Sequence, residues 1–313
     1  MKKIILIRPH IHKKELPFQL YLYDEWIKTG ISHEKSKCPT WRWLFHLIRH
    51  LNIPVIYENK RTAHIVLLGG GSVNWGAWPD SLFYEIIPVI WDCWPIYYDS
   101  VFGFIERNVV NTIIVTSKMT ANVLKNRFPN KNILAITEGI NISLYKKGDL
   151  LRNREIDLLE YGRSNKNVVS YDLSSCGFIH LKSSNGVKLF SDEKKFVDTL
   201  ANAKVTLAFP RSVTNPEIAG NIETITQRYW ENMLSRVVMI GKAPQELIEL
   251  LGYNPVVEID LEKSQEQIID ILQNIEKYQD LVDRNYYEAK LHASWYSRIQ
   301  TISLFLESCG YHL

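Results

Sequence analysis

The 313-residue chain is 46% hydrophobic and 23% charged, an ordinary globular composition long enough for two domains of the usual ~100–150 residues. No run approaches the roughly 18–20 uncharged apolar residues of a membrane-spanning helix, and the apolar run within Met1–Lys14 is too short for a signal-peptide core. The net charge of +3, with both signs mixed along most of the chain, argues against a nucleic-acid binder and suits anionic small molecules or a lipid surface. Cys38, Cys93, Cys176 and Cys309 are scattered without a C-x-x-C pair, which argues against a disulfide framework or a zinc site and for a reducing cytoplasm.

Short apolar runs alternate with helical patterns from the start. Lys3–Ile7, Pro54–Tyr57, His64–Leu68, Ile87–Trp91, Thr112–Thr116 and Ile133–Thr137 read as strands, continuously apolar as in a parallel sheet covered on both faces. Trp41–Leu51 and Lys118–Arg127 have helical periodicity between them. On the first of these, Leu44, Leu47, Ile48 and Leu51 share a face, while Arg42, His46, Arg49 and His50 fall largely elsewhere. Such a basic, aromatic helix either packs on the first sheet or rests on an anionic membrane surface.

At Lys146–Arg154 the pattern breaks into a polar, charged stretch, the expected interdomain linker. Strands then recur at Asp157–Tyr161, Phe178–Leu181, Lys204–Phe209, Val237–Ile240 and Val256–Ile259. Helices are expected at Asp192–Ala203, Thr224–Leu234 and Pro244–Leu251, with a long helical segment from Ser264 to the end. The repeated alternation means two α/β domains, each a parallel sheet covered on both faces, with ligands beyond the carboxyl ends of the strands. A cleft between the domains is the default site.

One segment carries the strongest functional signal: N-I-E-T-I-T-Q-R-Y-W-E-N-M-L-S-R-V-V-M-I-G. Glu223 and Glu231 are separated by seven residues, and the second opens a helix end that runs into an apolar strand. This resembles the E-x7-E pattern of retaining glycosyltransferases with the GT-B fold, family 4 in particular, where the second Glu opens E-A-M-A-x-G-x-P-V-V. L-L-E-Y-G-R-S-N-K (Leu158–Lys166) is similar to the family's strand-G-R-…-K element. T-E-G-I-N-I-S-L-Y (Thr137–Tyr145) is similar to P-N-G-I-D-…-F, and the segment from Val115 to the strand–Ser–helix unit before it.

The resemblance implies a GT-B fold, two Rossmann-like domains whose parallel sheets face each other across a cleft. Residues 1–150 would form the acceptor domain, 151–290 the nucleotide-sugar donor domain, and 291–313 a helix crossing back. It implies that Glu223 faces the donor sugar and Glu231 the ribose hydroxyls. Arg163 and Lys166 would neutralise the diphosphate, with Lys182 or Lys188 as substitutes for Lys166. A helix N-terminus behind Glu223 would offer free amides to the pyrophosphate. Transfer would proceed with retention and without metal or cofactor, the departing phosphate oxygen taking the acceptor's proton. The protein's part is then orientation and charge stabilisation.

The chain departs from that pattern at Glu223-Thr224-Ile225-Thr226, where E-G-F-G is usual, and in a longer loop from Pro210 to Ile222. Thr224 and Arg211 join the candidates for the donor pocket, and Glu217 is a rival to Glu223. In the first domain, Gly70 and Gly71 follow a strand and either admit close approach of phosphate or acceptor or make a tight turn. Asp92, just past the next strand, is the acceptor-side catalytic candidate, with His10 and His12 similarly placed after the first.

The expected activity is transfer from a nucleotide-sugar to a glycan or lipid-linked saccharide in polysaccharide biosynthesis. The expected place is the cytoplasm or the inner face of the membrane, with no nucleic-acid partner. One alternative is a non-catalytic GT-B module that binds a nucleotide-sugar or glycan for a partner enzyme. Another is an isomerase or inverting transferase, which would need a base, Asp92 or a histidine first.

Overall fold

A computed structural model describes residues 2–9, 18–35, 42–51, 62–162, 173–182, 189–190 and 192–312. The chain forms two compact units. The first comprises Met1–Thr137, Glu217–Ile222 and Trp295–Leu313; the second comprises Glu138–Pro216 and Glu223–Ser294.

The elements run β1 (Lys2–Ile7), α1 (Phe18–Ile27), β2 (His33–Glu34), α2 (Arg42–His50), β3 (Thr62–Gly69), α3 (Val73–Gly76), β4 (Glu85–Trp91), α4 (Tyr98–Arg107), β5 (Thr112–Val115), α5 (Lys118–Arg127) and β6 (Asn132–Ala135). Then come β7 (Ile156–Glu160), β8 (His180–Lys182), α6 (Glu193–Ala201), β9 (Ala203–Ala208), α7 (Arg211–Thr214), α8 (Pro216–Ala219), α9 (Gln227–Leu234), β10 (Val238–Gly241), α10 (Gln245–Leu251), β11 (Val257–Glu258), α11 (Ser264–Gln273) and α12 (Gln279–His292). The chain closes with α13 (Trp295–Ser308) and β12 (Tyr311–His312).

Among the described residues the first unit is built on a parallel sheet in the order β12-β1-β3-β4-β5-β6, with β2 also beside β1. Strands β3 and β4 are apolar at nearly every position and run in register from Ala63↔Glu85 to Gly69↔Trp91. That character requires cover on both faces, and both are covered. On one side Leu22 and Trp26 of α1 meet Trp295, Ile299 and Ile302 of α13. On the other, Val101 and Phe104 of α4 pack with Ala121 and Leu124 of α5. Ser117 caps α5, its hydroxyl accepting the Thr120 amide at 3.4 Å, so this helix spans the residues its periodicity predicts.

The second unit holds a parallel sheet ordered β11-β10-β9-β7-β8. The expected linker is packed within this unit. Leu151 is fully buried, and the Arg154 guanidinium donates to the Asp149 carbonyl at 2.8 Å and the Ala203 carbonyl at 2.7 Å. The loop from Pro210 to Ile222 folds into the two short helices α7 and α8.

The long helical segment expected from Ser264 is broken into α11, a single turn at Ile275–Tyr278, α12 and α13, and it ends as a strand. A distant contact explains the last step. The Tyr311 hydroxyl donates to Glu85 Oε1 at 2.7 Å and lies 3.0 Å from Thr112 Oγ1, which holds β12 on the edge of β1. Tertiary pairing outweighs local helical preference here. Among the described residues no helix is long and apolar enough to cross a membrane.

Candidate functional site

Helix α9 positions the second glutamate. Trp230 Nε1 donates to the Glu138 carbonyl at 2.9 Å, the Tyr229 hydroxyl to the Lys242 carbonyl at 2.8 Å, and Thr206 Oγ1 to Asn232 Oδ1 at 3.0 Å. With those side chains fixed, Glu231 is presented to two tyrosines. The Tyr145 hydroxyl donates to its Oε1 and the Tyr161 hydroxyl to its Oε2, both at 3.0 Å. The Arg228 guanidinium, one turn earlier on α9, lies 5.3 Å from the centre of the Tyr161 ring. Gly162 makes room for it: the residue has φ 67°, and a Cβ there would collide with the guanidinium.

The electrostatics of this cluster follow from its enclosure. Burial pushes the Glu231 carboxyl above its ordinary range, against the pull of the Tyr145 and Tyr161 hydrogen bonds and of Arg228. Burial, then the neighbouring Glu231 charge, pushes both tyrosine hydroxyls up as well, so they stay protonated donors.

The first glutamate precedes the helix. Helix α9 begins at Gln227, later than the expected Thr224, so Glu223 and the buried Thr224 lie in the connection before it. Lys242, directly after β10, places Nζ 2.5 Å from Glu223 Oε1. The Gln245 amide is 3.4 Å from Oε2, and the Ser212 hydroxyl, beside Arg211 on α7, is 3.4 Å from Oε1. Two amides of this connection already have carboxylate partners: Ile225 N donates to Glu246 Oε1 at 2.7 Å, and Gln227 N to Glu138 Oε2 at 3.3 Å. Of the amides expected to stand free at this helix N-terminus, that of Gln227 is thus taken by Glu138.

In the first unit, Gly70 and Asp92 are neighbours. A Cβ on Gly70 would strike the Asp92 carbonyl oxygen, so the glycine is needed for close approach of two chain segments. Asp92 is exposed and has φ 49°, and its carbonyl accepts the Trp94 amide at 2.9 Å. A Cβ on Gly71 would come within 3.2 Å of the Tyr97 ring. Glu217 is exposed and belongs to the first unit, whereas Glu223 belongs to the second. Lys182 ends β8 and is exposed. Arg163, Lys166, His10, His12, Lys188 and the expected strand Pro54–Tyr57 lie outside the described residues.

Sequence reasoning missed Tyr145, Tyr161, Arg228 and Lys242. Two signals were available: Arg228 precedes Glu231 by one helical turn, and Lys242 directly follows an apolar strand, where ligand-facing loops begin. Among the described residues no group of three or more His, Cys, Asp or Glu side chains is placed to hold a metal ion.

The chain was compared with known proteins. Neither a protein-family model nor a curated protein matches the sequence. Several solved structures share its fold. Sucrose-phosphate synthase from Thermosynechococcus elongatus superposes with a TM-score of 0.61 at 10% identity, 99% of each chain being covered. HepE from Anabaena, in complex with UDP and glucose, gives 0.60 at 10% identity over 98% of this chain and 100% of that one. A glycosyltransferase from Rickettsia africae gives 0.53 at 10% identity over 98% of each chain. At such identities the likeness is one of fold, the α/β arrangement of two parallel sheets.

Proposed function

We propose that this chain is a glycosyltransferase of the GT-B type. It moves a sugar from a nucleotide-sugar to a glycan or lipid-linked saccharide, with retention of configuration and without a metal ion. Its second unit is the donor domain. The observation that carries this reading is the Glu231 carboxylate, held at both oxygens by tyrosine hydroxyls, on a fold shared with sucrose-phosphate synthase and with HepE bound to UDP and glucose.

A carboxylate offers about four lone-pair sites. Tyr145 and Tyr161 take one on each oxygen and leave one on each for the adjacent hydroxyls of a ribose. The tyrosines orient the acceptor oxygens in advance, so little ordering remains when the nucleotide binds. Arg228 stands beside Gly162, next in sequence to Arg163, and together with Lys166 and Arg211 supplies positive charge for the diphosphate.

Glu223 and Lys242 act as a pair on the sugar side. The lysine holds the carboxylate in place for a sugar hydroxyl, and its own charge favours the leaving phosphate. Bond formation and cleavage occur on one face of the sugar. As the bond to the phosphate oxygen breaks, the acceptor oxygen bonds to the anomeric carbon, and the departing oxygen takes the acceptor's proton. No strong protein base is needed, and Asp92, in the first unit, is assigned to acceptor orientation.

The reading is tested by supplying nucleoside-diphosphate sugars, UDP-glucose among them, with an acceptor glycan and with or without EDTA. An EDTA-insensitive product carrying the donor's anomeric configuration is expected. An inverted product would overturn retention. Transfer that survives Glu223→Ala unchanged would overturn the site.

A further inference from the structure

Helix α12 packs inward by one face and presents a mixed apolar and charged stripe on the other. Val282, Asn285 and Ala289 are buried, and Asn285 accepts the Tyr253 hydroxyl at 2.8 Å and donates to the Pro255 carbonyl at 3.0 Å. Asp283 pairs with Arg236. On the outside Asp280, Arg284, Tyr287, Lys290 and Leu291 are all exposed, Tyr287 at 62% and Leu291 at 70%. Asp280, Arg284, Tyr287 and Leu291 recur at alternating steps of four and three residues, the spacing of one helical stripe, with Lys290 on its flank. The Arg284 guanidinium lies 3.6 Å from the centre of the Tyr253 ring, which fixes its place beside the stripe and lowers the ordering that a partner would require.

The order of charges along the stripe identifies its occupant. Asp280 stands at the N-terminal end and Lys290 at the C-terminal end, and neither forms an ion pair among the described residues. A second α12 laid antiparallel, with a two-fold axis at Asn285–Tyr286, sets Asp280 beside the partner's Lys290 and the partner's Leu291. It sets Arg284 beside the partner's Tyr287, and every contact occurs twice, as a two-fold interface requires. A parallel pairing would instead bring like charge onto like charge at both ends.

We propose that this stripe joins two copies of the chain in an antiparallel, two-fold dimer. A fourteen-residue helix is about 21 Å long, so the contact is small beside the roughly 1,200–2,000 Å² of stable complexes, and the dimer is a weak one that forms as concentration rises. An anionic lipid surface fits less well, since Asp280 lies within the stripe itself. The proposal does not depend on the transferase reading, because none of these residues belongs to the proposed donor site.

The test is sedimentation equilibrium of the purified chain from about 5 to about 500 μM. The average mass should rise from 36.5 kDa towards twice that value. Tyr287→Ser/Leu291→Ser should hold it at the monomer value while the melting temperature stays unchanged, because both side chains are exposed. Asp280→Lys and Lys290→Asp, each alone, place like charges together and should weaken association by about tenfold or more. An equimolar mixture of the two charge variants should associate again, since each then supplies the charge the other lacks. Wild type that stays at the monomer mass throughout, or a Tyr287→Ser/Leu291→Ser variant that still doubles in mass, would overturn the proposal. A mixture that associates no better than either charge variant alone would overturn the antiparallel pairing. Masses growing beyond the dimer would also overturn it, because a two-fold interface closes.

Discussion

Tyr161 donates its hydroxyl to Oε2 of Glu231 at 3.0 Å while its ring carries the Arg228 guanidinium on one face. One aromatic side chain thus links a buried carboxylate to a guanidinium. Tyr145 completes the arrangement at the other oxygen. The donor site proposed for the second unit centres on this cluster, whose burial sets how Glu231 responds to pH.

Glu231 titrates above the ordinary carboxylate range because burial disfavours its charge. Folding therefore favours the protonated form. This group's contribution to stability is complete below the unfolded-state value and is lost as the pH rises through the folded-state value. Glu231→Gln abolishes that titration. In melts from about pH 4 to about pH 7, the variant should gain stability relative to wild type as the pH rises. A difference that stays flat across the range would show that the carboxyl is not perturbed.

Lys242 holds Glu223 at 2.5 Å but is half-exposed, so the contact contributes little to folding. Lys242→Met should leave the melting temperature nearly unchanged and lower turnover at saturating donor by about tenfold or more. A lower melting temperature with full turnover would make the lysine structural.

Arg236 follows α9 with φ 54°, at the position where the resembled family carries glycine. Its side chain explains the exchange: Nη1 donates to the Gly148 carbonyl at 2.8 Å, and Nη2 pairs with Asp283. Arg236→Gly relieves about 1–2 kcal/mol of backbone cost. It also removes two charge-assisted bonds worth about 1.5–3 kcal/mol each, so denaturant unfolding should show a net loss of about 1–5 kcal/mol. A variant more stable than wild type would contradict this balance.

Burial pushes the Cys93 thiol up to about 12, whereas Cys176 is exposed. Iodoacetamide should label Cys176 in the native protein and Cys93 only after denaturation, as read by peptide mass mapping. Rapid native labelling of Cys93 would mean that the region around Asp92 opens.

Much of the fold was legible because its strands are continuous apolar runs. Strands β3, β4 and β5 fall where hydrophobicity places them, and their ends shift by one or two residues. Strand β12 was not legible, since two residues of strand depend on Tyr311 reaching Glu85 from the far end of the chain. The start of α9 was misplaced for a similar reason. Glu138 and Glu246, both remote in sequence, take the amides of Gln227 and Ile225, and only a folded chain shows this. Spacing was enough to single out Glu223 and Glu231. Their partners were hidden, because a tyrosine hydroxyl at the end of a strand carries no mark of where it points.

The most direct test of the central claim is a thermal-shift titration of wild type and Glu231→Ala with UDP-, GDP-, ADP-, CMP- and dTDP-sugars. One donor should stabilise wild type by about 2.7 kcal/mol at a hundredfold excess over its Kd, with EDTA making no difference. The shift should largely vanish in Glu231→Ala. Stabilisation by no donor, or an equal shift in both proteins, would contradict a donor site at Glu231.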